Sequence, residues 1–437
     1  MTAEREASGG VFTAAILGFG TVGGSVAAIL WEHPPQGVEL RCVFNRGVSR
    51  KRIASAPSSV VWTEDFEQVL ASRPDVVIET AGGLEPAGEW VRRSLAAGIS
   101  VVTANKKLIA DSGPALEELA RSHGCQLLYG AAVAGGVPVI PGVQQGLAGD
   151  RIHSVHGILN GTCNFILSRM EAGSEFAPAL LLAQQLGYAE ADPTEDIDGF
   201  DARAKLAILS RIALRLEVSP REIPCRSIRE VSAVDFAYAR DLNCTIRQIS
   251  RAELRDGDLL ETVAPMLTPL SSPLARSRGT ENMVTVGGAY GGETVFSGHG
   301  AGGHPTAVAV ISDVLAIAHG GCPVRIRSVP AKVTGEFIVP HYVRFVVDDR
   351  PGIIAGIAGA LAEERININA ILQKPGYPPH RLPFVVTVEP CRSSALKRAL
   401  ARIEDLACHR EPPLDLQILD DDPAKHKAEP EVPVQGG

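Results

Sequence analysis

The chain has no apolar run long enough to cross a bilayer, and its first ten residues, MTAEREASGG, lack the apolar core of a secretion signal. It also lacks a basic stripe, since 42 Lys and Arg stand against 50 Asp and Glu, for a net charge of −8. These absences argue against a membrane protein and against nucleic acid as the main partner. We therefore expect a cytoplasmic chain with neither partner.

Paired cysteine motifs are missing as well. Eight cysteines, without CxxC or CxxH spacing, are scattered at positions 42, 125, 163, 225, 244, 322, 391 and 408. A chain of 437 residues that is 45% apolar needs no disulfide framework. The sequence predicts reduced, mostly buried thiols in a globular α/β protein of about two to four domains.

The N-terminal part alternates strand-like and helix-like segments. An apolar stretch at residues 11–17 leads into GFGTVG at 18–23 and then into a segment of helical spacing. Further strand-like runs, separated by helical ones, follow at residues 40–44, 60–62, 76–79 and 101–103. This order predicts a Rossmann-type doubly wound parallel sheet over residues 11–148.

The pattern changes after residue 150. A strand at residues 152–159 is followed by helical spacing at 164–170, 177–187 and 199–216. We expect an α+β domain over residues 149–323 and a linker at residues 324–332.

The last third predicts a compact βαββα unit with a final strand, the order of a ferredoxin-like module, over residues 340–419. Residues 420–437 lack apolar periodicity and are expected to form a disordered tail.

The glycine turn predicts a dinucleotide site. Gly18 permits the tight turn, Gly20 lets backbone N–H groups approach a pyrophosphate, and Gly23 allows the helix to pack closely on the strand. A structural turn in another α/β fold is the alternative.

The choice of coenzyme depends on the end of the second strand. Glu39 precedes the strand at residues 40–44 instead of ending it, whereas Asn45 and Arg46 end it. Cations there suit a 2′-phosphate, so NADP(H) is favoured over NAD(H). Nearby Arg50, Lys51 and Arg52 are better read as solvated charges.

Two lysines are candidates for catalysis. Lys106 follows a strand at the carboxyl edge of the parallel sheet, where ligands bind, and Lys205 lies four residues after Asp201 on one helix face. Alone, they would be read as surface residues and an ordinary ion pair. The carboxylate-rich segment LGYAEADPTEDIDG at residues 186–199 suits a substrate with a cationic amine.

The chain resembles the homoserine dehydrogenase family over nearly its whole length. The resemblance is carried by GFGTVGG (18–24), DVVIETAGG (75–83), VVTANK (101–106), AAVAGGVPVI (131–140), GILNGTCNFIL (157–167), LGYAEADPTEDIDGFDARAKLAIL (186–209) and GHGAGGHPTA (298–307). It implies reversible, NAD(P)-dependent interconversion of L-homoserine and L-aspartate 4-semialdehyde. The second domain would then be catalytic and dimerising, with residues 295–323 returning to the nucleotide domain.

The resemblance also implies residue roles. Lys205 would give and take the proton on the substrate oxygen, Lys106 would assist there, and Glu190 with Asp201 would bind substrate beside Asp196. Implied coenzyme contacts are Gly18, Phe19, Gly20, Thr21, Val22, Gly23, Thr80, Thr103, Lys106, Gly187 and Gly300. The chemistry agrees, because hydride transfer to an aldehyde creates an alkoxide that needs a proton and an adjacent positive charge.

Two positions depart from the family. Gly130 replaces the usual glutamate of a monovalent cation site, so the carbonyls of Val133, Gly135 and Val137 would bind Na⁺ without a charged ligand. Cys163 replaces a usual threonine within NGTCN, a change that we interpret as packing.

The C-terminal module resembles an ACT domain, which binds a regulatory amino acid between two such modules. Asp349-Arg350-Pro351-Gly352 opens a helix whose N–H groups can receive a carboxylate. The resemblance implies feedback by L-threonine in a homodimer or homotetramer. Val388-Glu389 departs from the usual Thr-His ending, and a domain that serves only dimerisation is the alternative.

Two other functions compete. A phosphorylating semialdehyde dehydrogenase would need an activated cysteine nucleophile, and no cysteine has a plausible Cys/His setting. A non-catalytic metabolite sensor built from Rossmann and ACT units would not need Lys106, Lys205, Asp201 and Glu190 together.

Overall fold

The computed structural model describes residues 11–35, 37–51, 53, 56–255, 257–321, 327–406 and 408–420. The predicted tail at 420–437 lies outside these residues apart from Asp420. Within the described ranges, no helix is both long and apolar enough to cross a membrane.

Six parallel strands form the first sheet, in the order β3-β2-β1-β4-β5-β6. The strands are β1 Phe12–Leu17, β2 Val38–Phe44, β3 Val61–Thr63, β4 Val76–Glu79, β5 Ser100–Thr103 and β6 Leu127–Leu128. Their helices are α1 Thr21–Glu32, α2 Val48–Lys51, α3 Phe66–Ala71, α4 Ala87–Ala96, α5 Lys106–Ser122 and α6 Val139–Pro141. The predicted doubly wound sheet is confirmed, and its order reverses between β1 and β4, where such folds bind ligands.

The second unit combines an antiparallel sheet with helices. Its strands are β7 Ile152–Ile158, β8 Leu216–Glu217, β9 Cys244–Arg255, β10 Asp258–Pro269, β11 Glu281–Gly288 and β12 Gly292–His299. Its helices are α7 Gly161–Glu171, α8 Phe176–Gln185, α9 Thr194–Ile197, α10 Phe200–Leu209 and α11 Ala233–Asp241. Strand β7 pairs with β9 and β11, and its carboxyl end points the chain toward α7 and the acidic segment.

Helix α12, Gly303–Ala318, brings the chain back to the first sheet. Its apolar residues Val310 and Val314 share a buried cluster with Val26 and Ala27 of α1. The loop that precedes α12 is thereby held beside the first turn of α1.

The predicted linker is wrong in part. Residues 322–326 lie outside the described ranges, but β13 (Val329–Pro330) pairs with β8 and β14 (Val333–Thr334) pairs with β10. Residues 329–334 are therefore paired with strands of the second unit.

The C-terminal unit has the predicted βαββαβ order. Its elements are β15 Ile338–Val347, α13 Ile353–Glu363, β16 Ile368–Gln373, β17 Leu382–Arg392, α14 Ser393–Glu404 and β18 His409–Ile418. Strand β18 pairs in parallel with β10 at Met266 and Leu267, so the second and third units share one ten-stranded sheet. The sequence predicted a separate module and gave no sign of this pairing.

Short turns of other helical types complete the elements. They are the 3₁₀ turns Gly130–Ala132, Pro220–Glu222, Pro273–Arg276 and Pro379–Arg381 and the π turns Gly142–Gly146 and Ser210–Leu214.

Candidate active site

Lys106, Asp201 and Lys205 meet at the carboxyl edge of the first sheet. The Lys205 Nζ donates to Asp201 Oδ2 at 2.7 Å and to the carbonyl of Leu159, the residue after β7, at 2.8 Å. The Lys106 Nζ donates to the other carboxylate oxygen of Asp201. Two lysines from different units thus share one carboxylate.

Burial brings the pKa values of the two lysines toward neutrality. The Asp201 side chain is 5% exposed and Lys205 is 12% exposed, whereas Lys106 is 33% exposed. Burial, and then the ammonium of Lys205, lower the pKa of Lys106 to about 7, against the opposing effect of Asp196. Burial lowers the pKa of Lys205 to about 8, again opposed by Asp196.

Local structure explains why Lys106 points into the cluster. Asn105 caps α5 by accepting from the Leu108 N–H at 3.1 Å, and its Nδ2 donates to the Gly83 carbonyl at 2.6 Å. The first residue of α5 is therefore fixed relative to the loop after β4.

The acidic segment contributes unevenly. Asp196, at α9, is half-buried and accepts from Asn160 Nδ2, which also donates to Asp201. Glu190 is exposed, and only its carbonyl has a recorded contact in the described ranges, with Gln184 Nε2 at 3.1 Å. Asn160 lies within GILNGTCNFIL at residues 157–167 but was not predicted as a site residue; its position as the polar residue between β7 and α7 is the available signal.

The glycine turn fits a dinucleotide. A Cβ at Gly23 would lie 2.1 Å from the Gly18 carbonyl oxygen, whereas a Cβ at Gly20 would meet nothing within 4 Å. Gly18 has φ of +98°, and Thr80 donates to its carbonyl at 2.7 Å. Helix α1 begins at Thr21 without a side-chain cap, so its first N–H groups are available to a phosphate.

Three other predicted coenzyme residues, Phe19, Gly300 and Gly187, lie in different parts of the structure. Phe19 gives its N–H to Asn45 Oδ1 at 3.0 Å while its ring packs edge-on against Trp62. A Cβ at Gly135 would lie 2.3 Å from the Gly300 carbonyl oxygen, so the loop before α12 touches the turn that follows β6. Gly187 lies in an exposed loop after α8.

Glu79 is a buried carboxylate that the sequence analysis did not single out. It is fully buried at the end of β4 and accepts from the N–H groups of Ala81 and Gly82 at 2.8 Å each and from the Thr103 hydroxyl at 2.5 Å. It therefore shapes the loop that faces the glycine turn and fixes Thr103. The charge at the end of the apolar run VVIE is the signal that was available.

The residues around β2 differ from the prediction in the position of Glu39. Glu39 lies within β2, where it binds Arg41 at 3.0 Å, instead of preceding the strand. Arg46 is exposed in the turn after β2, next to Asn45. Arg52 lies outside the described residues.

Around Gly130 a carboxylate comes from another element. The Gly130 N–H donates to Asp313 Oδ2 at 2.7 Å, and a Cβ at position 130 would lie 2.9 and 3.0 Å from the two Asp313 oxygens. Burial raises the pKa of Asp313 to about 7. The absent side chain at position 130 is thus replaced in space by an acid of α12, beside the turn that carries Val133, Gly135 and Val137.

The cysteines of the described ranges do not offer an activated nucleophile. The described ones are free, with three buried and four partly buried, and Cys322 lies outside the described residues. Burial raises the pKa of Cys163 well above its ordinary value and that of Cys225 to about 11. These thiols are the opposite of the activated cysteine that a phosphorylating dehydrogenase needs.

The C-terminal unit has a cleft at the start of α13. It has a volume of about 230 Å³, and its lining includes Asp349, Arg350, Gly352, Gln373 and Phe384. Gly352 has φ of +96° and starts the helix without a side-chain cap.

Comparison with known proteins points to one enzyme. The family described as "Homoserine dehydrogenase" matches residues 138–315, "Homoserine dehydrogenase, NAD binding domain" matches residues 18–130, and "ACT domain" matches residues 341–408. Homoserine dehydrogenase of Synechocystis sp. is 36% identical over 92% of this chain and 98% of its own length. That of Corynebacterium glutamicum is 37% identical over 90% and 91%.

Solved structures agree. A homoserine dehydrogenase from Thiobacillus denitrificans superposes with a TM-score of 0.86 at 31% identity and covers 94% of this chain and 98% of its own. A hyperthermophilic archaeal homoserine dehydrogenase mutant in complex with NADPH has a TM-score of 0.62 at 27% identity, over 72% of this chain and 99% of its own.

Proposed function

The chain belongs to the homoserine dehydrogenase family, and from this premise we propose that Lys205 is the acid and base of its reaction. The enzyme is an NAD(P)-dependent oxidoreductase that interconverts L-homoserine and L-aspartate 4-semialdehyde in amino-acid biosynthesis. The observation that carries the proposal is the Lys205 Nζ, nearly buried and fixed by Asp201 at 2.7 Å and the Leu159 carbonyl at 2.8 Å.

The reaction requires a proton on the substrate oxygen in one direction and its removal in the other. A nicotinamide coenzyme held at the glycine turn would accept or supply the hydride. The Lys205 ammonium protonates the oxygen when the aldehyde is reduced, and the neutral amine removes the hydroxyl proton when homoserine is oxidised. A pKa of about 8 keeps both forms populated near neutral pH.

Lys106 supplies the positive charge beside the substrate oxygen in this proposal. Because it shares Asp201 with Lys205, the Lys106 ammonium brings a second positive charge to the site, most fully below its pKa of about 7. The charge stabilises the developing alkoxide. Lys106 is the more exposed of the two and therefore the one open to the substrate side.

The acidic segment binds the ammonium of homoserine in this proposal. Asp201 already accepts from Lys106, Lys205 and Asn160, so its main role is to orient the two lysines. Asp196 is half-buried beside it, and Glu190 lies on the exposed loop. We assign the ammonium to these two carboxylates.

The coenzyme lies against the glycine turn and the loops after β4 and β5 in this proposal. Gly18, Gly20 and Gly23 admit the pyrophosphate, Thr80 and Thr103 line the neighbouring loops, and Gly300 approaches from the loop before α12. Arg46 binds the 2′-phosphate, which favours NADP(H) over NAD(H). Arg46→Ala is expected to raise KM for NADPH about tenfold and leave that for NADH unchanged; equal losses would show that Arg46 does not distinguish the coenzymes.

The proposal includes a monovalent cation site at the turn after β6. The carbonyls of Val133, Gly135 and Val137 are the donors that Na⁺ prefers, and Asp313 brings a carboxylate to the space beside Gly130. If this turn binds Na⁺, the temperature of thermal unfolding is higher in NaCl than in tetramethylammonium chloride at equal ionic strength. Asp313→Asn is expected to remove this difference. Equal unfolding temperatures in the two salts would discard the site.

Regulation is assigned to the cleft at the start of α13. The uncapped N–H groups after Gly352 suit the carboxylate of L-threonine, and Arg350 stands beside them. A site between two such modules requires a homodimer or homotetramer. Calorimetry with L-threonine, read beside an inhibition curve, tests this; the absence of both heat and inhibition at millimolar ligand leaves a module for dimerisation only.

The acid/base role is tested by Lys205→Ala. We expect kcat to fall about 100-fold or more while NADPH binding, followed by nicotinamide fluorescence, stays intact. Lys107→Ala is the matched control, because Lys107 lies on the same helix as Lys106 but is half-exposed and pairs with Glu195 at 3.1 Å. Normal turnover of a folded Lys205→Ala enzyme would remove Lys205 from the mechanism.

A further inference from the structure

Asn160 joins the two carboxylates of the site through a single amide. It is 4% exposed, lies two residues after the end of β7, and caps α7 by accepting from the Cys163 N–H at 2.8 Å. Its Nδ2 donates to Asp196 Oδ1 at 2.7 Å and to Asp201 Oδ2 at 2.9 Å. The oxygen and both N–H groups of the amide are thus used.

The position of this amide decides which carboxylate faces which lysine. Asp201 Oδ2 accepts from both Asn160 and Lys205, and the carbonyl of the preceding residue, Leu159, accepts from Lys205 as well. Residues 159 and 160 therefore hold the Lys205 ammonium directly and through Asp201. Asp196 is held by the second N–H, away from a direct contact with Lys205 in the described structure.

The titratable groups that face Lys205 come from four elements. Asp201 lies on its own helix, Asp196 on α9, Lys106 on α5, and the Cys163 thiol on α7, while the Lys107 and Glu195 pair stands behind Lys106. Of the two carboxylates, Asp201 is already engaged with both lysines. Asp196 is the one free to turn toward them if the amide is lost.

We propose that Asn160 is a positioning residue for the dehydrogenase reaction: its amide keeps Asp201 on Lys205 and holds Asp196 for the substrate. This inference rests on the proposed role of Lys205. Two like charges held at one nitrogen repel each other, and a neutral donor with two N–H groups is the group that can satisfy both without adding charge. Loss of that donor lets Asp196 pair with the lysine, which stabilises the ammonium and opposes its action as a base.

Two substitutions separate this role from helix capping. Asn160→Ser and Asn160→Asp both retain an oxygen that can cap α7, but serine removes the two amide donors and aspartate replaces them with a negative charge. For homoserine oxidation we expect Asn160→Ser to lower kcat about tenfold and to move the midpoint of the pH–rate profile upward. Asn160→Asp is expected to move it further, by about one pH unit or more, because the third carboxylate favours the ammonium.

The matched control is Asp65→Ser, which changes the cap of α3, where Asp65 accepts from the Glu67 N–H at 2.9 Å. It is expected to leave the pH midpoint unchanged. Should Asn160→Asp fail to fold, Asn160→Ser decides. A folded Asn160→Ser enzyme with the wild-type midpoint and kcat would overturn the positioning role and leave Asn160 as a cap, whereas an active Lys205→Ala enzyme would overturn the proposed function instead.

Discussion

Asp201 and Asp235 are both buried aspartates that collect several donors, but their partners differ in kind. Asp201 accepts from Lys106, Lys205 and Asn160. Asp235, on α11, accepts from Arg344 Nη1 at 2.8 Å, from the Tyr342 hydroxyl at 2.7 Å, and from the N–H and hydroxyl of Ser232. The first cluster joins the nucleotide and catalytic units, and the second attaches the C-terminal sheet to the catalytic helices.

The difference lies in whether the cations can release a proton. Lys106 and Lys205 have pKa values lowered to about 7 and about 8, so their charge changes near neutrality. A guanidinium stays charged at every working pH, and Arg344 is only 7% exposed. A buried carboxylate between lysines is arranged for proton transfer, and one between an arginine and hydroxyl groups is arranged for attachment.

We call Asp235 and its partners Ser232, Tyr342 and Arg344 the attachment cluster. Asp235→Asn breaks this cluster and should have the largest effect on stability. It leaves the Arg344 charge buried without a counter-ion, which is expected to lower the free energy of unfolding by about 3–5 kcal/mol. Denaturant unfolding measures this. Asp241→Asn, at the exposed end of the same helix where Asp241 pairs with Lys374 at 2.9 Å, is the control and should cost less than about 1 kcal/mol. Similar losses for both variants would remove the distinction.

Asp201→Asn breaks the catalytic cluster and should leave stability nearly unchanged. Without the shared carboxylate, the two lysines lose both their orientation and the negative charge that sets their protonation. We therefore expect kcat to fall about 100-fold, which corresponds to a rise of about 2.7 kcal/mol in the activation free energy. Steady-state kinetics beside thermal unfolding measures both. Asp192→Asn, in the exposed part of the acidic segment, is the control. A large loss of stability with normal kcat would make Asp201 a structural residue like Asp235.

The sequence predicted part of the catalytic cluster of Lys106, Asp201 and Lys205. The spacing of Asp201 and Lys205 on one helix and the position of Lys106 after β5 are local patterns, and local patterns also predicted the Rossmann sheet and the βαββαβ order. Asn160 and Asp313 were missed because each acts through residues far away in the chain: Asn160 reaches Asp201 across 41 positions and Asp313 reaches Gly130 across 183. No periodicity records such contacts.

The attachment cluster was invisible for the same reason. Asp235 and Arg344 are 109 positions apart, and each alone is an ordinary charged residue in a helix or strand. The pairing of β18 with β10 involves two residues on each strand and leaves no signature in either segment. The sequence therefore predicted the fold class of the units and could not predict how they are joined.

Arg344→Lys sharpens the comparison by placing a titratable cation in the attachment cluster. Lysine cannot reach Ser232, Asp235 and the Glu230 carbonyl together, as the guanidinium does. We expect a loss of about 1–2 kcal/mol in the free energy of unfolding, smaller than for Asp235→Asn because one ion pair is kept. A loss as large as that of Asp235→Asn would show that the fork geometry, and not the charge, carries the attachment.

The pH dependence of kcat, measured in both directions for the wild-type and Lys205→Ala enzymes, tests the central claim most directly. Oxidation of homoserine needs the neutral amine, so its rate should rise with pH through a midpoint near pH 8 and level off about one unit above it, and reduction of the semialdehyde, which needs the ammonium, should fall across the same range. In Lys205→Ala the residual rate should lose this ionisation. A wild-type rate that is flat from about pH 6 to about pH 9, or the same rise in Lys205→Ala, would contradict proton transfer by Lys205.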